Sequence, residues 1–424
     1  MGESRPLGEQ ERLLNYLHAY GGLIVLQVLH VRGRLDPPQV RAALAWLQTQ
    51  HPILRAHIRK GELVFRRLPP FVYRQPYFDT EGTTEVPLYV VEDRDPEAWR
   101  RVLARELRTP IKTGKTPRIR VTLVRQAADD DLTHIVICAD HSTLDAQSGN
   151  MLSRQLLEYL ADPRLAGAKT PVHETLPPPL ESGLPKKSHG GGKYQPALRL
   201  PKLNVPEPKR ETRVLTYHLG ANATAELKAA IKTNRTTLHG AVTAAFLTAM
   251  RQLHGVAAMT TLTTVDLRRL MKPSLPQETY GCYIDILRTR HDIADDFWAT
   301  ARDVSFRLIT TLAKDQEAAS SMKLPEWEVY NKEAWPTITH NRRIDGLAVT
   351  TAGESGLERH YGAYTLEDVT MAVSLDMFGP SLFAIASERL GGIDFSTGYA
   401  ADAMSDADAA ALNNRSIAIL EAAR

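Results

Sequence analysis

His141 and Asp145 stand four residues apart in "ICADHSTLDAQS", where an apolar run ends and an amphipathic one begins. Imidazole is the side chain best suited to take up and return a proton near neutral pH, and a nearby carboxylate can orient it or brace its loop. The spacing itself carries little weight. With 14 histidines in the chain, about one such match arises by chance, and "HDIAD", His291 to Asp295, is a second. There Asp295 and Asp296 open a helical pattern, where the helix dipole favours acids, so His291 reads as structural. His141 has a different setting. It follows the strand-like Ile135–Ala139 and precedes a helical run, and a strand-to-helix turn is held by a rigid sheet and faces a helix N-terminus. The positive helix end favours the neutral imidazole that a general base needs. From the residues alone, His141 is either that base or a satisfied turn histidine.

The elements that must position this turn can be read from periodicity. In the first half "LIVLQVLHVRG", "ELVFRRL", "RIRVTLVRQ" and "LTHIVICA" read as strands, the last two forming a hairpin around "AADDD". "DPPQVRAALAWLQTQ", "DPEAWRRVLAREL" and "AQSGNMLSRQLLEYLA" read as helices. A Pro-, Gly- and Lys-rich stretch, residues 174–211, reads as a linker or crossing loop between halves 1–173 and 212–424. The second half alternates strands such as "RVLTYHL", "MTTLTTVDL", "YIDILRTRH", "GLAVTT" and "DVTMAVSLDM" with helices. Its last helix, "SDADAAALNNRSIAILEAA", has Ser405 as its expected cap. "MFGPS", Met377 to Ser381, reads as a hairpin turn. The fold class is therefore α/β or α+β with mixed sheets.

Composition narrows the function. At 424 residues the chain exceeds one ordinary core, and its 43% hydrophobic and 24% charged shares are those of a globular protein. A net charge of +3 is too mild to argue for nucleic acid. The two cysteines, Cys138 and Cys282, lie in apolar runs and read as buried thiols of a reducing cytoplasm. Metal-ligand spacings are lacking, so no metal is expected, and the longest apolar stretch is too short to span a bilayer. A cytoplasmic monomer is the expectation.

"DHSTLDAQS" resembles the HHxxxDG motif of the chloramphenicol acetyltransferase-like superfamily, which includes condensation domains and bacterial polyketide-associated acyltransferases. "RPLGEQERLL" is similar to that family's opening segment, "LQTQHPILRAHI" to its RHxxLRTxF block, and "TPRIRVTLV" to its Pro-x-x-Arg strand. "TTLHGAVTAAFLTAM", "TTVDLRRL" and "YGCYIDILRTR" are similar to segments of the bacterial acyltransferases. The resemblance covers nearly the whole chain in order. It implies two similar subdomains, each a mixed sheet with helices, arranged as a V-shaped pseudo-dimer with the site in a tunnel between them. It implies His141 as general base for direct transfer of an acyl group from a thioester, acyl-CoA or an acyl carrier protein's phosphopantetheine, to an alcohol, with no bound cofactor. Amide formation and a catalytically silent, carrier-recruiting scaffold are the alternatives.

The same resemblance implies that Asp145 is a structural strut paired with an arginine, either Arg55 or Arg120. Asp140 stands where the motif has its first histidine, and Ala146 where it has glycine. These two, with Ser148, Tyr280 and Tyr283, are the candidates for the tunnel, although Ser148 also suits a helix cap and both tyrosines also suit a core. Thr350 and Thr351 are candidate oxyanion donors, or simply strand threonines. Asp266 and Arg268 read as an ion pair at a helix start. Lys186, Lys187 and Lys193 in the linker could meet a carrier's phosphopantetheine.

Overall fold

Along Ile135–Ala139 the side chains of Ile135, Ile137 and Ala139 join one core, and those of Val136 and Cys138 join another. That is the period of two that pleating imposes, here with both faces buried. The computed structural model describes residues 2–19, 22–65, 72–126, 129–164, 173–184, 211–276, 278–317, 346–375 and 380–424. The chain begins with β1 (Ser4–Pro6), α1 (Glu9–Ala19), β2 (Ile24–Arg32) and α2 (Pro37–Gln50). Next come β3 (His57–Phe65), β4 (Val72–Asp79), β5 (Leu88–Asp93), α3 (Ala98–Arg108), β6 (Ile119–Gln126), β7 (Asp129–Asp140) and α4 (Ala146–Ala161). The second half continues with β8 (Thr212–Leu219), α5 (Ala221–Thr233), α6 (Leu238–His254), β9 (Ala258–Asp266), β10 (Ile284–Asp292) and α7 (Phe297–Glu317). It closes with β11 (Leu347–Glu354), β12 (His360–Tyr361), β13 (Tyr364–Val373), β14 (Leu382–Arg389), β15 (Gly392–Ala400) and α8 (Asp406–Ala422).

These form two mixed six-stranded sheets, of order β12-β13-β2-β7-β6-β5 and β10-β9-β11-β14-β15-β8, and a small sheet β1-β4-β3. Helices α2 and α4 cover one face of the first sheet, where Val40, Leu44, Leu152 and Leu156 meet Leu29, Leu123 and Ile137. Helix α3 covers the other with Trp99, Val102 and Leu103. The second sheet is covered by α5, α6 and α8 through Leu227, Phe246 and Leu412. Each such side chain, fully buried, contributes roughly 1.5–3 kcal/mol.

The β6–β7 hairpin forms in the expected place, with Ile119 opposite Ala139. Ser405 caps α8, its hydroxyl accepting from the Asp408 amide at 3.1 Å. The hairpin turn expected at Met377–Ser381 falls largely outside the described residues. The strands on either side of it do not pair with each other and belong to different sheets: β13 pairs with β2 and β14 with β11 and β15. The period-two pattern on each side was right; pairing partners are tertiary and leave no local mark. Strand β13 thus completes the first sheet from the second half, and the Met371 amide donates to Ser396 Oγ of β15 at 3.1 Å. Lys186, Lys187 and Lys193 also lie outside the described residues.

Candidate active site

Strand β7 ends at Asp140 and α4 begins at Ala146, so the five residues between are the strand-to-helix turn that the sequence suggested. Asp140 shapes it. Its Oδ1 accepts from the Ser142 amide at 2.9 Å, and its backbone carbonyl accepts from the amide and hydroxyl of Thr143 at 2.9 and 2.8 Å. Its Oδ2 receives Arg118 through Nη2 at 2.5 Å and Nε at 2.9 Å. Burial alone would raise this carboxyl's pKa, but His18 and Arg118 outweigh it and hold the group at about 2. Asp140 is fully buried, so it is a charged foundation for the turn and not part of a tunnel wall.

On that turn the His141 ring is half-buried, and its Nδ1 lies 2.9 Å from the Leu144 carbonyl oxygen. A carbonyl can only accept, so Nδ1 carries the proton and Nε2 keeps its lone pair. Among the described residues Nε2 has no hydrogen-bond partner. Burial lowers the imidazole's pKa below its ordinary 6.5, outweighing the opposing pull of Asp145. A neutral ring with an open Nε2 is the form that accepts a proton from a substrate.

Asp145 caps α4 and does more. Its Oδ1 accepts from the Ser148 amide at 2.9 Å and its Oδ2 from the Tyr283 amide at 3.0 Å. Arg268 reaches across from the end of β9 and donates Nη1 to Oδ2 at 2.7 Å and Nη2 to Oδ1 at 2.9 Å. Burial works to raise the Asp145 pKa, but this guanidinium and the amides hold it below the ordinary carboxylate value. The strut therefore exists, with a different arginine from either candidate. Arg120 lies opposite Cys138 on the α3 face of the sheet, where it pairs with Glu106. Arg55 follows α2 and donates to the Gln48 carbonyl. Arg268 also keeps the expected pairing with Asp266, at 3.2 Å. The bond that matters to the site spans the two halves, and no local spacing announces it.

Ser148 is a clamp between the halves. Its hydroxyl donates to the Gly281 carbonyl at 2.9 Å and accepts from the Gly281 amide at 3.1 Å and Arg268 Nη2 at 2.8 Å. It is fully buried, so neither the cap nor the tunnel expectation describes it. Both tyrosines are core residues. Tyr280, 1% exposed, stacks on His51 at 3.7 Å and donates to Gln155 at 2.7 Å. Tyr283, 2% exposed, donates to the Pro178 carbonyl at 2.9 Å and lies under Arg268. Ala146 is exposed on the first turn of α4. Thr350 and Thr351 sit half-buried near the end of β11, which runs parallel to β9 toward the end from which Arg268 departs. The Thr350 hydroxyl contacts the Thr264 carbonyl at 3.5 Å, and no described contact joins either threonine to His141.

One neighbour of His141 reads from the sequence only as a buried thiol. Cys282 Sγ lies 3.6 Å from His141 Nδ1. The pair is not a nucleophilic couple: Nδ1 already holds its proton for Leu144, and burial, reinforced by Asp145, pushes the thiol's pKa well above normal. The second histidine–aspartate match is unrelated to this site. His291 is fully buried, with Nδ1 3.0 Å from Asp303 and Nε2 2.7 Å from Thr289, whereas Asp295 pairs with Arg251. Among the described residues no group of histidine, cysteine and acidic side chains could hold a metal ion, and no helix is long and apolar enough to cross a membrane.

Residues 208–341 match the family model described as phthiocerol/phthiodiolone dimycocerosyl transferase C-terminus. No curated protein matches the chain in sequence. Among solved structures, trichothecene 15-O-acetyltransferase from Fusarium sporotrichioides superposes with a TM-score of 0.71 at 13% identity, covering 100% of this chain and 95% of that one. Polyketide synthase associated protein 5 from Mycobacterium tuberculosis gives 0.64 at 15% identity, over 100% and 99%. The first condensation domain of the CDA synthetase gives 0.66 at 14% identity, over 99% and 95%.

Proposed function

We propose that this chain, whose fold is that of the chloramphenicol acetyltransferase-like acyltransferases and condensation domains, transfers an acyl group from a thioester to a hydroxyl, with His141 as general base. The observation that carries this reading is the ring geometry: Nδ1 is committed to Leu144 and Nε2 has no hydrogen-bond partner among the described residues, on a turn braced by both halves. Nε2 takes the proton of an acceptor hydroxyl as its oxygen attacks the thioester carbonyl carbon. The tetrahedral intermediate then collapses, the carbon–sulfur bond breaks, and Nε2–H returns the proton to the departing thiolate. Ester and thiol are the products, and no acyl-enzyme forms. Holding both reactants at one place supplies up to about 7–11 kcal/mol of the barrier reduction. Thr350 and Thr351 are the candidates to donate to the oxyanion, a contribution of about 3–4 kcal/mol in comparable sites.

The donor is acyl-CoA or an acyl carrier protein, and the acceptor a lipid-like, sugar or polyketide alcohol. In this reading residues 1–173 carry the base, 174–211 connect the halves, and 212–424 close the site by supplying Arg268. The protein works as a cytoplasmic monomer with no bound cofactor. Incubation with acyl-CoA or an acylated carrier and a panel of alcohols, following thiol release, tests the proposal. Alcohol-dependent release that His141→Ala abolishes is the expected result. Carrier binding without release, or release with amines alone, would overturn it in favour of a scaffold or an amide-forming enzyme.

A further inference from the structure

We infer that Cys282 is a positioning residue that leaves the Leu144 carbonyl to decide which ring nitrogen of His141 carries the proton. The inference rests on His141 being the base and concerns how the base is kept in its working form. In a neutral imidazole, the hydrogen bond made at one nitrogen decides whether the other is a donor or a lone pair. Two groups flank Nδ1: the Leu144 carbonyl at 2.9 Å and Cys282 Sγ at 3.6 Å. The carbonyl asks for a proton on Nδ1. A strong donor beside it would ask for the opposite, moving the proton to Nε2 and removing the lone pair that the reaction needs. A thiol is a weak donor and a weak acceptor, so it fills that place without competing.

The space is also closed to water. Cys282 is buried with Leu14 and Ile284, against partly buried Leu23. Its position relative to the base is fixed through its neighbours. The Asp145 amide donates to the Gly281 carbonyl at 3.2 Å, the Gly281 amide donates to Ser148 Oγ, and the Tyr283 amide donates to Asp145 Oδ2. Cys282 sits between those two anchored residues, so the second half of the chain delivers the sulfur to Nδ1 with little freedom. The other charged groups acting on the ring are the carboxylates of Asp145 and Asp140. Both lie on His141's own turn and both are tied to arginines, Arg268 and Arg118.

Substitution by serine separates this role from simple space-filling. Cys282→Ser keeps a side chain of similar size but supplies a hydroxyl able to donate strongly to Nδ1. The measurement is the two-bond nitrogen–proton spectrum of the histidine rings, recorded on resting, 15N-histidine-labelled protein at pH 7.5, with His141 assigned through His141→Ala. Wild type is expected to show a protonated Nδ1 and a bare Nε2. Cys282→Ser should move His141 toward the Nε2–H form at an unchanged unfolding temperature, with kcat falling roughly tenfold and KM little changed. Cys282→Ala, which leaves an apolar gap and no donor, should keep the Nδ1–H form and serves as the second test if the serine variant folds poorly. A wild-type tautomer in Cys282→Ser, or a shifted one in Cys282→Ala, would overturn the inference. Because the spectrum needs no substrate, a protein that shows the tautomer shift but no acyl transfer would refute the proposed function and leave the role of Cys282 standing.

Discussion

Because Asp145 receives two amides and both terminal nitrogens of Arg268, deleting either charge strands the other in a desolvated place. Arg268→Ala should cost about 3–5 kcal/mol of stability, and Asp145→Ala a similar amount. The double variant should recover part of the loss in a thermal-denaturation cycle. Additive losses would mean the two side chains do not act as a pair. His141→Ala, by contrast, removes a half-buried ring with one bond to its own turn, and should leave the unfolding temperature nearly unchanged while thiol release falls about 10²–10⁴-fold. At this scale the sequence was partly legible. The type and setting of His141 left a base and a satisfied turn histidine open, and the family resemblance favoured the base and implied that Asp145 is a strut. The strut's partner was not legible, since Arg268 lies 123 positions away and its local neighbour Asp266 offered a sufficient explanation for it.

Among the elements, the segment that leads into β10 sets the turn from the opposite side. Gly281 exchanges both backbone groups with Ser148, and a Cβ at this glycine would stand 2.5 Å from Tyr283 Cε2. That ring is buried and tied to Pro178, so it cannot easily give way. Gly281→Ala should therefore cost roughly 1–3 kcal/mol, read as a lower midpoint in urea, and should depress thiol release beyond what the lost stability explains. An unchanged midpoint would show that the segment adapts. Strand and helix identities were legible because β7 alternates and α4 repeats at helical spacing. The crossing of β13 into the first sheet was not, because a strand's pattern states which faces are buried and not which neighbour it joins.

For the whole molecule, the buried histidines set the response to acid. Burial lowers the pKa of His18, His51 and His239 to about 4 and holds the coupled pair His30 and His134 below the ordinary value as well. Between pH 6.5 and about 4 the unfolded chain binds protons that these native rings refuse, so stability falls as pH falls through that window. Asp140 acts in a lower window: its contribution persists above its ordinary pKa and is lost as pH drops toward about 2. Unfolding temperature should thus decline from just below neutral pH, well before the carboxylates titrate. A flat profile from pH 7 to 4.5 would contradict the buried, neutral state of these rings.

The pH dependence of kcat/KM for thiol release tests the role of His141 most directly, measured over the range in which circular dichroism shows the protein folded. A base whose pKa burial has lowered is active above that pKa and loses its lone pair below it. The expected profile is an acid limb with its midpoint below 6.5, absent from the residual rate of His141→Ala. A midpoint at or above 6.5, or the same limb surviving in the alanine variant, would contradict the assignment.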